Sequence, residues 1–129
     1  MSTVQLSSQA LALQKISLFK ELPDEVVQQL ASELQEVEAQ KDHIIIRKGD
    51  EGDSMFLVIR GAVKVHDGDR VLATVIAGEY FGEYALIDSY TRSASVTATQ
   101  PTLLLQLSKD RFDGIMERHP KLKDVVLKE

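Results

Sequence analysis

The start of the chain carries a helical pattern of hydrophobic residues. Leu6, Ala10, Leu13 and Ile16 follow one another at steps of three or four positions. Residues at these steps share one face of an α-helix. The spacing therefore predicts a helix near residues 4–18.

A second helix is predicted to begin at Pro23, which Asp24 and Glu25 follow directly. Proline costs no hydrogen bond at a helix start, and carboxylates are favoured near the positive end of the helix dipole. The buried face of this helix is expected to comprise Val26, Val27, Leu30 and Leu34.

After about Gln35 the hydrophobic pattern changes from helical to alternating, and glycine and aspartate recur at short intervals as turn residues. Many short strands joined by tight turns favour a barrel or a sandwich over a parallel sheet. The predicted strands cover residues 35–39, 43–47, 55–60, 62–66, 70–76, 92–98 and 102–107.

A helical pattern returns at the end of the chain. Ser108 can cap a helix whose inward stripe is Phe112, Ile115 and Met116. Pro120 interrupts that helix, and residues 121–129 are expected to open another one.

Composition narrows the functional classes. A chain of 129 residues with 43% hydrophobic and 27% charged residues is expected to fold as one domain. The net charge of −5 and the absence of a long basic run argue against direct nucleic-acid binding. There is no cysteine, no apolar stretch of about 20 residues and no secretory signal pattern. We expect a soluble, cytoplasmic protein that does not enter a membrane.

Catalytic and metal-binding patterns are also missing. The histidines His43, His66 and His119 are scattered and expected at the surface, and no serine has nucleophile-elbow glycines. The acidic stretch 50–53 lacks the spacing of a calcium loop and is expected to be a solvated turn. We therefore expect no enzyme activity, no metal and no cofactor.

Residues 78–96 form an unusual loop. Gly82 allows the backbone to approach a ligand closely, and residues 83–86 can form one or two helical turns whose amides face an anion. In the following strand Ser93 and Ser95 alternate with Ala94 and Val96, which places Arg92 on the apolar face.

An inward guanidinium needs a negatively charged partner, because a buried charge is tolerated only when it is paired and hydrogen-bonded. The planar fork of Arg92 suits phosphate oxygens, and the carboxylate of Glu83 suits sugar hydroxyls. These two side chains together predict a sugar phosphate as the ligand. A buried ion pair of Arg92 with Glu83 or Asp88 is the structural alternative.

The stretch from Phe81 to Leu86, together with Arg92, Ser93 and Ala94, resembles the phosphate-binding cassette of the cyclic nucleotide-binding domain family. The resemblance implies a mainly β fold: an antiparallel β-barrel of the double-stranded β-helix, or jelly-roll, type with N-terminal and C-terminal helices. It covers residues 1–129 as a single domain, with helices in 1–34, the barrel in 35–107, the cassette in 81–94 and helices in 108–129.

The resemblance also implies roles for individual residues. Arg92 would bind the cyclic phosphate with the backbone amides of Ala85 and Ser93, while Glu83 and the Gly82 amide would hold the ribose 2′-hydroxyl. Thr91 stands where many members have proline, and Tyr84 is bulkier than the usual aliphatic residue. The full expected ligand-binding set is Gly82, Glu83, Ala85, Leu86, Arg92, Ser93 and Ala94.

The expected function is a regulatory module that binds a cyclic nucleotide. Ser93 directly after the arginine is similar to bacterial cyclic AMP receptors and favours cyclic AMP, with cyclic GMP as the alternative. In the family the C-terminal helices move on binding, so the partner would be a second copy or a larger effector. The competing hypothesis is a degenerate barrel that serves only protein interaction or dimerisation.

Overall fold

Two four-stranded antiparallel sheets pack against each other in the computed structural model, which describes residues 7–87 and 90–122. The strands are β1 Gln35–Ala39, β2 Ile44–Ile46, β3 Glu51–Gly52, β4 Ser54–Arg60, β5 Ala62–Asp67, β6 Arg70–Ile76, β7 Tyr80–Phe81, β8 Tyr90–Thr91, β9 Ser95–Ala98 and β10 Thr102–Ser108. The first sheet has the order β1-β10-β4-β7, the second has the order β2-β9-β5-β6, and β3 pairs with β8.

The first sheet is buried on both faces because its strands alternate two sets of apolar residues. Met55 and Leu107 point towards the helices, whereas Val58 and Leu104 point towards the second sheet. The protein therefore has two cores, and the first sheet is the wall between them. This wall also carries Ser54, at the start of β4, into the interior.

Within residues 7–87 and 90–122 the sheets are flanked by the helices α1 Ser8–Gln14, α2 Asp24–Ser32 and α3 Lys109–Glu117. The side chain of Ser7 accepts a hydrogen bond from the Ala10 amide at 3.1 Å, and that of Ser108 accepts one from the Arg111 amide at 3.3 Å. The predicted Ser108 cap is thus confirmed. Helical backbone resumes at residues 120–122, and the rest of the predicted last helix lies outside the described residues.

The N-terminal helices are shorter than predicted. The first ends at Gln14, and a 3-10 turn at Ser17–Phe19 follows because Ile16 adopts an extended conformation. This break lets Ile16 and Phe19 both reach the core. Residues 4–6 of the predicted helix lie outside the described part. Leu34 follows the end of α2 and is only partly buried.

The predicted fold class is confirmed: the architecture is mainly β and jelly-roll-like, with flanking helices. The two sheets do not close into a barrel, since β1 and β7 lie at the edges of one sheet and β2 and β6 at the edges of the other.

The predicted strand 92–98 was too long, since only Ser95–Ala98 pairs as a strand. The backbone leaves the β8 ladder at Arg92 and joins the next ladder three residues later. Sequence analysis also missed β3, β7 and β8. Each of these strands has two residues, too few for an alternating pattern to be recognised.

The two-core arrangement predicts different costs for two adjacent leucines. Leu104 is fully buried between the sheets, whereas Leu103 is only partly buried. We expect Leu104→Ala to lower the free energy of unfolding by about 2 to 5 kcal/mol. Leu103→Ala should cause a clearly smaller loss. Urea denaturation of both variants measures the difference, and equal losses would contradict the assignment of faces.

Candidate functional site

The backbone of Arg92 is held from one side by the turn that precedes β4. Strands β3 and β8 pair Glu51 with Thr91, which brings this turn alongside the end of β8. The Arg92 amide then donates to the Asp50 carbonyl at 2.7 Å, and the Gly49 amide donates to the Arg92 carbonyl at 2.9 Å. These bonds fix the position from which the arginine side chain starts.

The side chain of Arg92 turns into the protein, and the residue is only 8% exposed. Its Nη2 donates to the backbone carbonyl of Ser54 at 2.7 Å. Ser54 itself is 1% exposed and begins β4 in the central wall. The first residue of β4 is therefore one of the groups that direct the guanidinium.

Gly82 lies directly against this guanidinium. Its backbone is left-handed, with φ 79° and ψ 15°. A Cβ atom at this position would lie 3.0 Å from Arg92 Nη1 and 3.0 Å from the Ser54 carbonyl oxygen. Both the conformation and the space therefore require glycine here. The close neighbours of Gly82 are thus protein groups, and its predicted approach to a ligand stays a prediction.

A 3-10 turn, Glu83–Leu86, follows Gly82. Ala85 and Leu86 are fully buried, Glu83 is partly buried and Tyr84 is 59% exposed. The Ala85 amide donates to the Gly82 carbonyl at 3.1 Å within this turn. A phosphate contact to that amide would have to share its proton with this carbonyl.

A pocket of about 130 Å³ opens beside Arg92. Four of the expected ligand-binding residues line it, namely Gly82, Arg92, Ser93 and Ala94. The other three, Glu83, Ala85 and Leu86, do not. Leu86 instead packs in the core on the helix side of the central wall.

Sequence analysis missed the apolar walls of this pocket, formed by Ile46, Val65, Phe81 and Val96. Phe81 stacks on Phe56 with ring centroids 5.1 Å apart. Sequence analysis also missed Ser54. The atom of Ser54 that anchors Arg92 is a backbone carbonyl, so the residue type at this position does not reveal the contact. The apolar residues at alternate positions in the flanking strands were the signal that could have found the walls.

The burial of Arg92 was predicted correctly, but the reason given was wrong. The prediction relied on strand alternation from residue 92, whereas Arg92 precedes β9. The side chain is buried because the Asp50 and Gly49 contacts hold its backbone beside β4. Alternation also fails at Thr97, which is buried with its hydroxyl 2.7 Å from His66 Nε2.

Within the described part of the chain, the other residues considered for catalysis or metal binding do not come together in a site. His66 and His119 are partly buried, contrary to the expected surface positions, and each contacts a polar side chain. Across residues 7–87 and 90–122 there is no group of three or more His, Cys, Asp or Glu side chains arranged to hold a metal ion. None of the helices in those same ranges has the length and hydropathy of a membrane-spanning segment.

The decisive comparison is with models of protein families. Residues 36–119 match the model of the cyclic nucleotide-binding domain, which takes in both sheets, the Arg92 pocket and α3. The chain belongs to the cyclic nucleotide-binding domain family. The resemblance recognised in residues 81–94 is thereby confirmed at the level of the family.

Individual proteins with similar sequences support the same family assignment. The chain is 37% identical to human cGMP-dependent protein kinase 2 over 94 residues, which is 68% of this chain and 12% of the kinase. It is 36% identical to the cAMP-dependent protein kinase regulatory subunit of Yarrowia lipolytica over 135 aligned positions, which is 100% of this chain and 36% of that protein. The chain thus spans only a fraction of these relatives.

A solved structure shares the fold. The N-terminal domain of a transcriptional regulator from Streptomyces coelicolor superposes with a TM-score of 0.80 and 30% sequence identity, covering 91% of this chain and 85% of that one. The same architecture therefore occurs in proteins of different overall function. The sequence match establishes the family, and the solved structure shares the fold.

Substitution of Gly82 tests the packing against the guanidinium. Gly82→Ala should destabilise the protein through the left-handed backbone, by about 1 to 2 kcal/mol, and through displacement of Arg92, by a further ~1 to 3 kcal/mol. Gly78→Ala is the matched control, since Gly78 has φ 91° and no atom within 4 Å of the added Cβ. Thermal unfolding that gives equal losses for the two variants would contradict the proposed close contact.

Proposed function

We propose that this domain binds cyclic AMP and does not act on it chemically. The observation that carries the proposal is the buried Arg92 guanidinium beside the pocket that Gly82, Ser93 and Ala94 line. A guanidinium offers several N–H donors in a plane, which suits the oxygens of a phosphate. The apolar wall around it lowers the local dielectric and strengthens such a contact.

The size of the pocket supports a particular arrangement of the nucleotide. Its volume of about 130 Å³ is below the roughly 300 Å³ at which pockets for whole small molecules begin. We infer that the cyclic phosphate and the ribose enter the pocket and that the base stays nearer its mouth. Glu83 does not line the pocket, but it lies partly buried next to Gly82, which does. Its carboxylate would accept a hydrogen bond from a ribose hydroxyl at the edge of the pocket.

Cyclic AMP is proposed over cyclic GMP. Ser93 lines the pocket and is exposed, so its hydroxyl can reach the phosphate or the base. Both kinds of kinase occur among the relatives, but the cAMP-dependent regulatory subunit of Yarrowia lipolytica aligns along the whole of this chain. This similarity over the whole of the present chain supports cyclic AMP as the ligand.

The response to binding is proposed to pass to α3. Leu86, at the end of the ligand-site turn, shares a core with Phe112, Ile115 and Met116 of this helix. Lys109 at the start of α3 also donates to the Leu86 carbonyl at 3.3 Å. A shift of the turn on phosphate binding would therefore change the packing of α3, and a cytoplasmic effector or a second copy would sense that change.

Removal of the guanidinium is the direct test of the ligand site. Arg92→Ala should weaken cyclic AMP binding by about 1.5 to 3 kcal/mol, or roughly 10- to 150-fold, because a charge-assisted hydrogen bond is lost. Arg70→Ala, at an exposed position on β6, is the control and should bind like the parent. Isothermal titration calorimetry gives both affinities. Equal affinities of Arg92→Ala and the parent would refute the proposed site and favour a structural ion pair for Arg92.

A second candidate function has one observation in its favour. Strand β6 lies at a sheet edge and exposes Val71, Leu72 and Ile76 by 54%, 50% and 54%. Apolar side chains clustered on an edge favour contact with another protein or another copy. At the end of this strand, however, the Ile76 amide donates to the Glu79 carboxylate at 2.9 Å. A pure interaction domain would use such a surface and leave the Arg92 pocket unused.

Melting curves with and without nucleotide separate the two functions. At 100 times its Kd, a ligand adds about 2.7 kcal/mol to the stability of the folded state. For a domain of this size we expect cyclic AMP to raise the melting temperature by several degrees, and cyclic GMP by less at the same concentration. Unchanged melting with both nucleotides, together with a mass above that of the monomer, would support the interaction domain instead.

A further inference from the structure

Gln106 is a polar residue in an otherwise apolar part of β10. Leu104 and Gln106 alternate with Leu105 and Leu107, and this second pair packs on the helix side of the central wall. Gln106 therefore shares the inner face of the wall with Leu104, where it is partly buried. A polar side chain in such a position calls for a defined hydrogen-bond partner.

That partner is the hydroxyl of Ser54. Gln106 Nε2 donates to Ser54 Oγ at 2.9 Å, and Ser54 Oγ donates to Asp53 Oδ1 at 3.1 Å. An ionised carboxylate only accepts, so the single hydroxyl proton points to Asp53 and the hydroxyl must accept from Gln106. The direction of the chain from Gln106 to Ser54 to Asp53 is thereby fixed, and so is the orientation of the Gln106 amide.

The same serine anchors the arginine of the ligand site. The carbonyl of Ser54 accepts from Arg92 Nη2 at 2.7 Å. The Asp53 carbonyl, in the peptide that precedes Ser54, accepts from the Lys109 amide at 2.7 Å. Ser54 is thus held through its hydroxyl and through the carbonyls of the peptides before and after it.

Gln106 also lies close to Arg92 in space. Both residues line a second pocket of about 170 Å³, together with Asp53 and the neighbouring acidic turn. A change at Gln106 can therefore reach the guanidinium through Ser54 without passing through the ligand pocket, whose lining residues do not include Gln106.

We propose that Gln106 is a positioning residue for the anion site. Through the Ser54 hydroxyl it holds the residue whose backbone carbonyl directs the Arg92 guanidinium. Gln106 is not among the residues that line the ligand pocket, so we expect it to act on affinity through Ser54 and Arg92. The effect on ligand affinity depends on the proposed cyclic AMP binding, whereas the effect on Arg92 itself does not.

The test uses Gln106→Leu, which removes the hydrogen-bond donor and adds a fifth leucine to β10 without a large change in volume. Cyclic AMP affinity should fall by about 2- to 10-fold, the range expected for one lost hydrogen bond. The unfolding free energy should stay equal or rise, because an apolar side chain replaces a polar one on the inner face. Gln35→Leu is the matched control, since Gln35 lies directly opposite Gln106 on β1 and is exposed. It should leave affinity unchanged.

A double-mutant cycle with Ser54→Ala tests the route. Once the hydroxyl is gone, Gln106→Leu should cause little further loss of affinity, because both changes break the same chain. Additive losses would overturn the proposal. If the parent binds cyclic AMP and Gln106→Leu binds it with the same affinity, the proposal is also overturned.

If the parent protein binds no cyclic nucleotide, the proposed function is refuted but the positioning role of Gln106 is not. A measurement without ligand then tests that role. The NMR resonance of the Arg92 Nε–H group should shift in Gln106→Leu and stay in place in Gln35→Leu. An unmoved Arg92 resonance in Gln106→Leu would overturn the positioning role whatever the outcome of the binding experiment.

Discussion

The hydrogen bond between the Arg92 guanidinium and the Ser54 carbonyl is the interaction on which the candidate site depends. It brings a permanent positive charge into the interior at a point where the chain cannot easily move. The turn at Gly49 and Asp50 holds the arginine backbone, and the first residue of β4 holds its side chain. Gly82 then fits against the pair because it has no side chain. The charge of Arg92, the hydrogen bonds of its backbone and the missing side chain of Gly82 thus all act at one position.

The central wall explains how such a site can be connected to the rest of the domain. One face of this sheet contributes Phe56 and Phe81 near the pocket, while the other face packs against the helices. Leu86 leaves the ligand-site turn and enters the helix-side core. The turn beside Arg92 and α3 therefore share one core, which is the packing route that the proposed response to binding would use.

Sequence reasoning predicted features that are encoded locally. The Ser108 cap depends on residues three positions apart, and β6 and β10, with seven residues each, are long enough to be recognised between turn residues. The two-residue ladder between β3 and β8 could not be predicted, because it depends on partners 40 residues apart in the sequence. It is this ladder that brings the Gly49 turn to Arg92. The burial of the arginine was therefore foreseen, while the contacts responsible for it were not.

The bond between the Ile76 amide and the Glu79 carboxylate has a consequence for solubility. An outlying strand rich in valine and isoleucine is a template on which other chains can add strands, and unlimited addition gives fibres. Here a negative charge occupies a position that an incoming backbone would need at the end of β6. One backbone donor of this edge strand is therefore already used within the domain and is not available to a strand added at that end.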